Sequence, residues 1–413
     1  MKGSIVPVAL DYISRDGKIL LATRGIRSFG YGFLSVMFAV YLTFIGFSEI
    51  LVGAALSATL LGSAVFTTFV SVYGDRVGRR LLLVVLALLM AISGIIFAIT
   101  TNEAALLAAA VIGTLSPTGA EIGSFLPLEQ AILPQTTTQE KRNSTFANYN
   151  VIGQLSSSAG ALFFYFQTVL QVNYGVGELE SYHLMFIIYS MLALGAAGLY
   201  LAVSSRAEAK ASVTRERTPL SPQSRTIVAK LSALFGVDAF AGGFVLQSII
   251  SDWFKVRYNV PNSHLAVIFF VAGIFTTLSF YAAVWLAKHI GLLRTMVFTH
   301  IPSHVFLILV PVANTFVLSM VFYLARQAIS QMDVPTRQSY TVGIVAPEER
   351  TTAAGVTAIS RNVSQGTSPS LAGYAQHAVS LSTPFFIGGT LKIVYDVAVY
   401  FNFRKIKPPE ERG

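Results

Sequence analysis

Glu121, Arg326 and Arg361 are ionisable side chains set inside long apolar stretches. A charge held in hydrocarbon costs a few kcal/mol on insertion scales, so such groups face a cavity or a partner and are functional candidates. Glu121 is the most central carboxylate. It can load and release a proton, or sit in a permanent ion pair with an arginine. Arg326 and Arg361 offer forked guanidinium donors that can clamp a carboxylate or phosphate, or can instead neutralise Glu121 or Asp333. Asn150, Gln154 and Gln365, with Asn148 and Asn362, can line a cavity as neutral hydrogen-bonding groups or join one helix to another. His300 and His304 are four residues apart, which puts both rings on one face of a helix, where they can hold a metal or relay a proton. No acid accompanies them in that stretch, so the expectation is ordinary buried hydrogen bonding and no metal site. Lys392 and Asp396 share the same spacing and read as a helix-stabilising pair.

These residues need helices that cross a membrane to position them. The 413 residues are 54% hydrophobic and 12% charged, against about 25% charged in soluble domains, and the mean hydropathy is +0.63. An ordinary soluble protein is excluded. Apolar stretches fall at 25–46, 50–73, 81–101, 104–133, 145–170, 182–203, 228–253, 262–286, 293–312, 315–336, 353–375 and 380–402. Each is long enough to cross about 30 Å of hydrocarbon. Residues 1–23 are polar and charged, so no cleavable leader is expected and the first span is an anchor. Outside the spans, Lys and Arg gather in the tails and even-numbered loops, leaving only Lys255 and Arg257 on the opposite side. The positive-inside rule then puts both termini in the cytoplasm. It also accounts for the +9 formal charge without nucleic acid. With no Cys there is no disulfide, thiolate site or cysteine nucleophile.

The polar stretch from Ser204 to Arg225 divides six spans from six, and it reads as a flexible linker. The expected organisation is a six-helix bundle over 1–203, a cytoplasmic linker over 204–227 and a second bundle over 228–413. The halves repeat. Pro127, Gln130, Glu140 and Arg142 recur at one constant offset as Pro335, Gln338, Glu348 and Arg350. At a closely similar offset, Phe29, Gly32 and Phe33 recur as Phe240, Gly243 and Phe244. With the N-terminus inside, Arg27 and Glu129 sit at comparable depth, and the repeat places Asp238 and Arg337 at their equivalent positions with the polarity reversed. Two pseudo-symmetric ion pairs are expected near the cytoplasmic mouth of a cavity, Arg27 with Glu129 and Asp238 with Arg337, with either structural or gating roles. Tyr31, Phe33, Phe240 and Phe244 read as cavity-wall or packing aromatics. Gly160, Gly366 and Gly373 are small residues that allow close helix approach.

Between spans 2 and 3, Gly74-Asp75-Arg76-Val77-Gly78-Arg79-Arg80 resembles the signature loop of the major facilitator superfamily. With the 6+6 repeat, the resemblance covers essentially the whole chain. It implies an all-α membrane protein of 12 transmembrane helices in two six-helix bundles around a central cavity, working by alternating access. It also gives Asp75, Arg76, Arg79 and Arg80 a gating role as a cytoplasmic latch. Ser71 stands where the family's loop often starts with Gly. The drug-exporter patterns are weak: Thr114 occupies the usual span 4 Arg position, and Gly153 to Gly160 lacks the Pro of the span 5 motif.

Together these readings point to a secondary transporter for a small organic solute in the plasma membrane. Proton coupling runs through Glu121 or Asp238, and the chain works as a monomer without a cofactor. Export, as an antiporter, is the direction the signature loop favours by resemblance. The alternatives are proton-coupled uptake of an organic anion and an uncoupled facilitator. A membrane-embedded enzyme ranks last, since no HExxH, P-loop or Ser/His/Asp set stands out.

Overall fold

Ser14, Ser48, Asn102 and Ser221 each stand just before a run of helix-forming residues, and each caps one. Their side chains accept from the backbone N–H of Gly17, Leu51, Ala105 and Ser224 at 3.1–3.4 Å. Such caps contribute about 1 kcal/mol apiece. The computed structural model describes residues 12–119, 123–204, 220–346, 349–404 and 406, apart from the side chains of Asp75, Asn143, Gln223, Val342, Arg350 and Thr351.

The first half contains α1 (Arg15–Phe44), α2 (Glu49–Val77), α3 (Arg79–Ile99), α4 (Glu103–Ile112), α5 (Phe125–Ile132), α6 (Arg142–Phe163), α7 (Tyr165–Tyr174) and α8 (Glu178–Leu201). The second contains α9 (Pro222–Gly243), α10 (Gln247–Tyr258), α11 (Asn262–Ile290), α12 (Leu292–Val312), α13 (Phe316–Ser330), α14 (Asp333–Gly343), α15 (Arg350–Ala378) and α16 (Thr383–Phe403). Among the described residues these sixteen helices form the twelve expected rods, because α4 with α5, α6 with α7, α9 with α10 and α13 with α14 each make one. Among the described residues, eight segments are individually long and apolar enough to cross a membrane. Of the other rods, α4 with α5 and α13 with α14 are built from short pieces, while α6 and α15 are long but rich in Ser, Thr, Asn and Gln.

The span limits need three corrections. The fourth span is not one helix over 104–133: it stops at Ile112 and resumes at Phe125. Gly113, Pro117 and Gly119 explain the break, with Thr114 and Gly119 at positive φ of 46° and 71°. The tenth span likewise divides at Gln331–Met332. Finally, α9 begins inside the expected 204–227 linker, because Ser221 supplies a cap and Pro222 suits the first helical turn.

The repeat is visible in the backbone. Gly78, between α2 and α3, and Gly291, between α11 and α12, occupy equivalent turns at φ 107° and 88°, a region open to glycine. Buried aromatics such as Phe38, Tyr41, Phe97 and Phe186 fill the first bundle, and Trp253, Phe254 and Tyr323 fill part of the second. Ile95, Ile99, Leu194, Trp285 and Val312 are exposed on the outside, as a lipid-facing surface requires.

The starts and ends of the described stretches, near Asp16, Ser204, Leu220 and Ile406, make up the terminal end of the two bundles. There Ser204 donates its amide to Asp16 at 3.0 Å, and Tyr340 donates to the carbonyl of Ile406 at 2.8 Å. Among the described residues, the bonds joining the bundles belong to the other, distal half. Glu49 meets His377 at 3.3 Å, and the Ser57 hydroxyl accepts from the amide of Ser370 at 2.9 Å. Asn262 donates to Gln167 and Tyr182 at 3.1 and 2.9 Å, and Ser248 donates to the Ser35 carbonyl at 2.8 Å. A side chain at Gly53 would meet the Pro369 carbonyl at 2.4 Å, and one at Gly373 would meet the Glu49 carbonyl at 2.1 Å. Glycine is what lets α2 and α15 close so tightly. Among the described residues the bundles are clasped at the distal end.

Candidate functional site

Arg27 of α1 and Glu129 of α5 are fully buried and form a bidentate pair at 2.9 and 2.8 Å. The carboxylate is then saturated. Tyr149 of α6 and Tyr200 of α8 each donate to it at 2.6 Å, and Thr23 donates at 3.3 Å. Tyr200 also touches Arg27, and the Phe125 ring lies under the guanidinium at 4.1 Å. Four helices thus meet on one sealed ion pair. The tyrosines carried no distinguishing signal in the sequence, because they look like any other aromatic in an apolar run.

The second half holds a different arrangement at the equivalent place. Asp238 of α9 accepts from Arg337 of α14 at 3.2 Å, Arg361 of α15 at 2.8 Å and Lys392 of α16 at 2.5 Å. Arg337 also bonds Asp333, one turn earlier on its own helix, at 2.8 Å. This cluster opens on a cavity of about 250 Å³, lined also by Arg326, Gln327, Gln365 and His300. Arg361 is the most exposed of Asp238's partners, with 27% of its side chain accessible.

Arg326 is buried on α13, and its contact is with a neutral group, Gln327 Oε1 at 2.5 Å. Its Nε has no hydrogen-bond partner. No carboxylate among the described residues pairs with it, so of these residues only a neutral amide meets its forked cation at the cavity. Four cationic side chains (Arg326, Arg337, Arg361, Lys392) share the cavity wall with two carboxylates, Asp238 and Asp333. Such a chamber favours an anion.

Over residues 20–325 the chain matches the family model described as Major Facilitator Superfamily. The chain belongs to the major facilitator superfamily. A yeast relative, the uncharacterized membrane protein YJR124C of Saccharomyces cerevisiae, is 25% identical over 416 residues, covering 93% of each chain. Among solved structures, this facilitator resembles the nucleoside transporter NupG, with TM-score 0.73 and 14% identity over 94% of this chain and 99% of that one. It also resembles a bacterial homolog of the human lysosomal transporter Spinster in its inward-facing, unoccupied conformation, at TM-score 0.69 and 15% identity over 95% and 98%. An auto-inhibited peptide transporter of the POT family gives TM-score 0.73 and 9% identity over 97% and 98%. At these identities the likeness is one of fold. The chain is thus a multi-pass membrane transporter of the facilitator fold, not an enzyme.

The remaining candidates of this facilitator are dispersed. Glu121 lies outside the described residues. Asn150 is exposed and Gln154 half-buried on α6, away from the cavity lining, whereas Gln365 lines both the cavity and a small crevice shared with Asn362. In the signature loop, Asp75 ends α2 with its side chain outside the described residues, and Arg76 is exposed. Arg79 bonds the Ala131 carbonyl at 3.3 Å and Arg80 that of Leu201, both within the first bundle. Tyr31 and Phe33 are buried among the aromatics of that bundle, and Phe240 packs on Phe244 with ring centroids 5.4 Å apart. Gly160 meets the backbone of Phe29, so it serves close packing.

One local expectation fails. Lys392 and Asp396 are not a pair along α16: Lys392 reaches Asp238, and Asp396 reaches His300 at 2.9 Å. Both are buried on the face turned into the bundle, where partners on other helices are closer than a neighbour on the same one. The buried hydrogen bonding expected of His300 is present, and its partner Asp396 comes from α16.

Proposed function

We propose that this facilitator carries a small organic anion by alternating access, binding it in the cavity of the second bundle against Arg326. One observation carries this reading: Arg326 is buried, faces the cavity and has no carboxylate partner among the described residues. Burying an unpaired guanidinium costs several kcal/mol, a cost that an anionic substrate offsets. A carboxylate or phosphate on the substrate takes the Arg326 fork, and Gln327 and Gln365 hydrogen-bond its neutral part. Arg361, the most exposed partner of Asp238, then swings to the anion. The Asp238 charge thereby given up is where a proton joins the cycle. The positive-inside bias of Lys and Arg supports cytoplasmic termini, and with them an inward-facing cavity in a single-chain transporter of the plasma membrane. The signature-loop arginines Arg76, Arg79 and Arg80 latch the bundles when the cavity closes. Cavity chemistry supports either direction of transport; the export expectation rests on the loop alone.

The test is a thermal-shift screen of the purified chain in detergent with pooled organic anions, cations and neutral metabolites. A ligand at 100 times its Kd stabilises the protein by about 2.7 kcal/mol. Stabilisation by organic anions is expected, and stabilisation confined to lipophilic cations would overturn the reading.

A further inference from the structure

Behind the anion cavity, His300 and His304 of α12 and Asp396 of α16 form a second, separate constellation. All three are buried, at 3%, 0% and 0% exposure. One ligand atom from each lies within 4.8 Å of the other two. Lys392, one turn before Asp396, is committed to Asp238, so it does not neutralise Asp396.

We propose that His300, His304 and Asp396 bind a divalent first-row transition-metal ion that ties α12 to α16 at the back wall of the cavity. Three observations support it. His304 Nε2 and Asp396 Oδ2 are buried without hydrogen-bond partners, and they face each other at 3.6 Å. That is too long for a hydrogen bond. It suits two ligands on one ion, since tetrahedral bonds of about 2.1 Å separate ligand atoms by roughly 3.4 Å. The second observation is that each imidazole has a polar neighbour at its other ring nitrogen. His300 Nε2 lies 4.0 Å from Asp333, and His304 Nδ1 lies 3.5 Å from the Ser303 hydroxyl. The Asp333 separation is longer than a hydrogen bond and closes to one only if the ring turns onto an ion, where such groups orient metal-binding histidines. The third is access: His300 and Asp333 line the cavity, so an ion reaches the site from there. Two imidazoles and one carboxylate favour Zn²⁺, Fe²⁺, Ni²⁺ or Cu²⁺ over Mg²⁺ or Ca²⁺, and they leave a coordination position open.

The test uses the full chain in detergent, stripped with chelator and titrated with Co²⁺ while its visible absorption is followed, then with Zn²⁺ by calorimetry. One equivalent per chain is expected, with the intense bands of a four- or five-coordinate nitrogen and oxygen site. Binding should be lost in His304→Gln and in Asp396→Asn, and weakened about 10- to 100-fold in Asp333→Asn. His377→Gln, an exposed histidine, should leave it unchanged. Arg326→Gln should also leave metal binding intact while removing the anion response, so this inference and the transport reading fail separately. Absence of stoichiometric Co²⁺ uptake by the wild type overturns the proposal. So does equal binding by His304→Gln and His377→Gln. Should the ligand variants not fold, the wild-type spectrum decides, with weak octahedral bands counting against the site.

Discussion

The ion clusters around Glu129 and Asp238 occupy equivalent positions in the two halves, yet one is sealed and the other is open. Glu129 has both oxygens saturated by Arg27, two tyrosines and a threonine, and neither it nor Arg27 is exposed. Asp238 shares its charge among three cations that line the cavity, of which Arg361 is the most exposed. Duplication supplied one pair twice. Tyrosines closed the first copy into a strut, and extra cations made the second a surface for a ligand.

Breaking the strut should give the largest effect. Glu129→Gln leaves Arg27 buried without its counter-charge, and a loss of about 3–5 kcal/mol is expected. Thermal unfolding in detergent should show this with or without ligand. A drop in melting temperature no larger than that of an exposed control such as Arg76→Gln would remove the distinction between the clusters.

Asp238→Asn should act in the opposite sense on binding. It releases Arg361, Arg337 and Lys392, so anion affinity should rise by about tenfold, near one charge-assisted hydrogen bond of about 1.5 kcal/mol. Isothermal titration with the anion found in the screen measures this, and weaker binding would contradict it.

A smaller effect is expected at the distal clasp. Gly53→Val places its Cβ on the Pro369 carbonyl, which costs roughly 1–3 kcal/mol in the clasped state alone. The chain has no Cys, so a single Ser370→Cys beneath the clasp reports cleanly. Its labelling by a membrane-impermeant thiol reagent should accelerate several-fold when Gly53→Val is added.

The smallest effect concerns Glu349, before α15 at the terminal end. It accepts from the Ser224 hydroxyl and the Ser221 amide, both at 2.5 Å, and these bonds hold its carboxyl below the ordinary glutamate range. A lowered value stabilises the fold above the unfolded-state pKa, and the gain is lost as pH falls through the folded one. Glu349→Gln should therefore melt slightly below the wild type at neutral pH, with the difference vanishing in acid.

Much of this was legible in the sequence. Twelve apolar stretches gave twelve rods, and depth along the spans brought Arg27 to Glu129 and Asp238 to Arg337. What was hidden follows a physical pattern. Lys392 and Asp396 suggested a local pair because their spacing fits one, but burial turns both towards partners on other helices. His300 and His304 lacked an acid in their own span, and Asp396 comes from the last helix. The break in the fourth span was written in Gly113, Pro117 and Gly119, and overall hydrophobicity masked it.

The central claim is that Arg326 receives an anion. The direct measurement is transport of the most stabilising anion into proteoliposomes by the wild type and by Arg326→Gln, each first shown to be folded by its melting curve. Losing one hydrogen-bonded charge of about 1.5–3 kcal/mol corresponds to roughly a 10- to 100-fold fall in transport at sub-saturating anion, and that fall is expected. Equal rates in the two proteins would contradict the account.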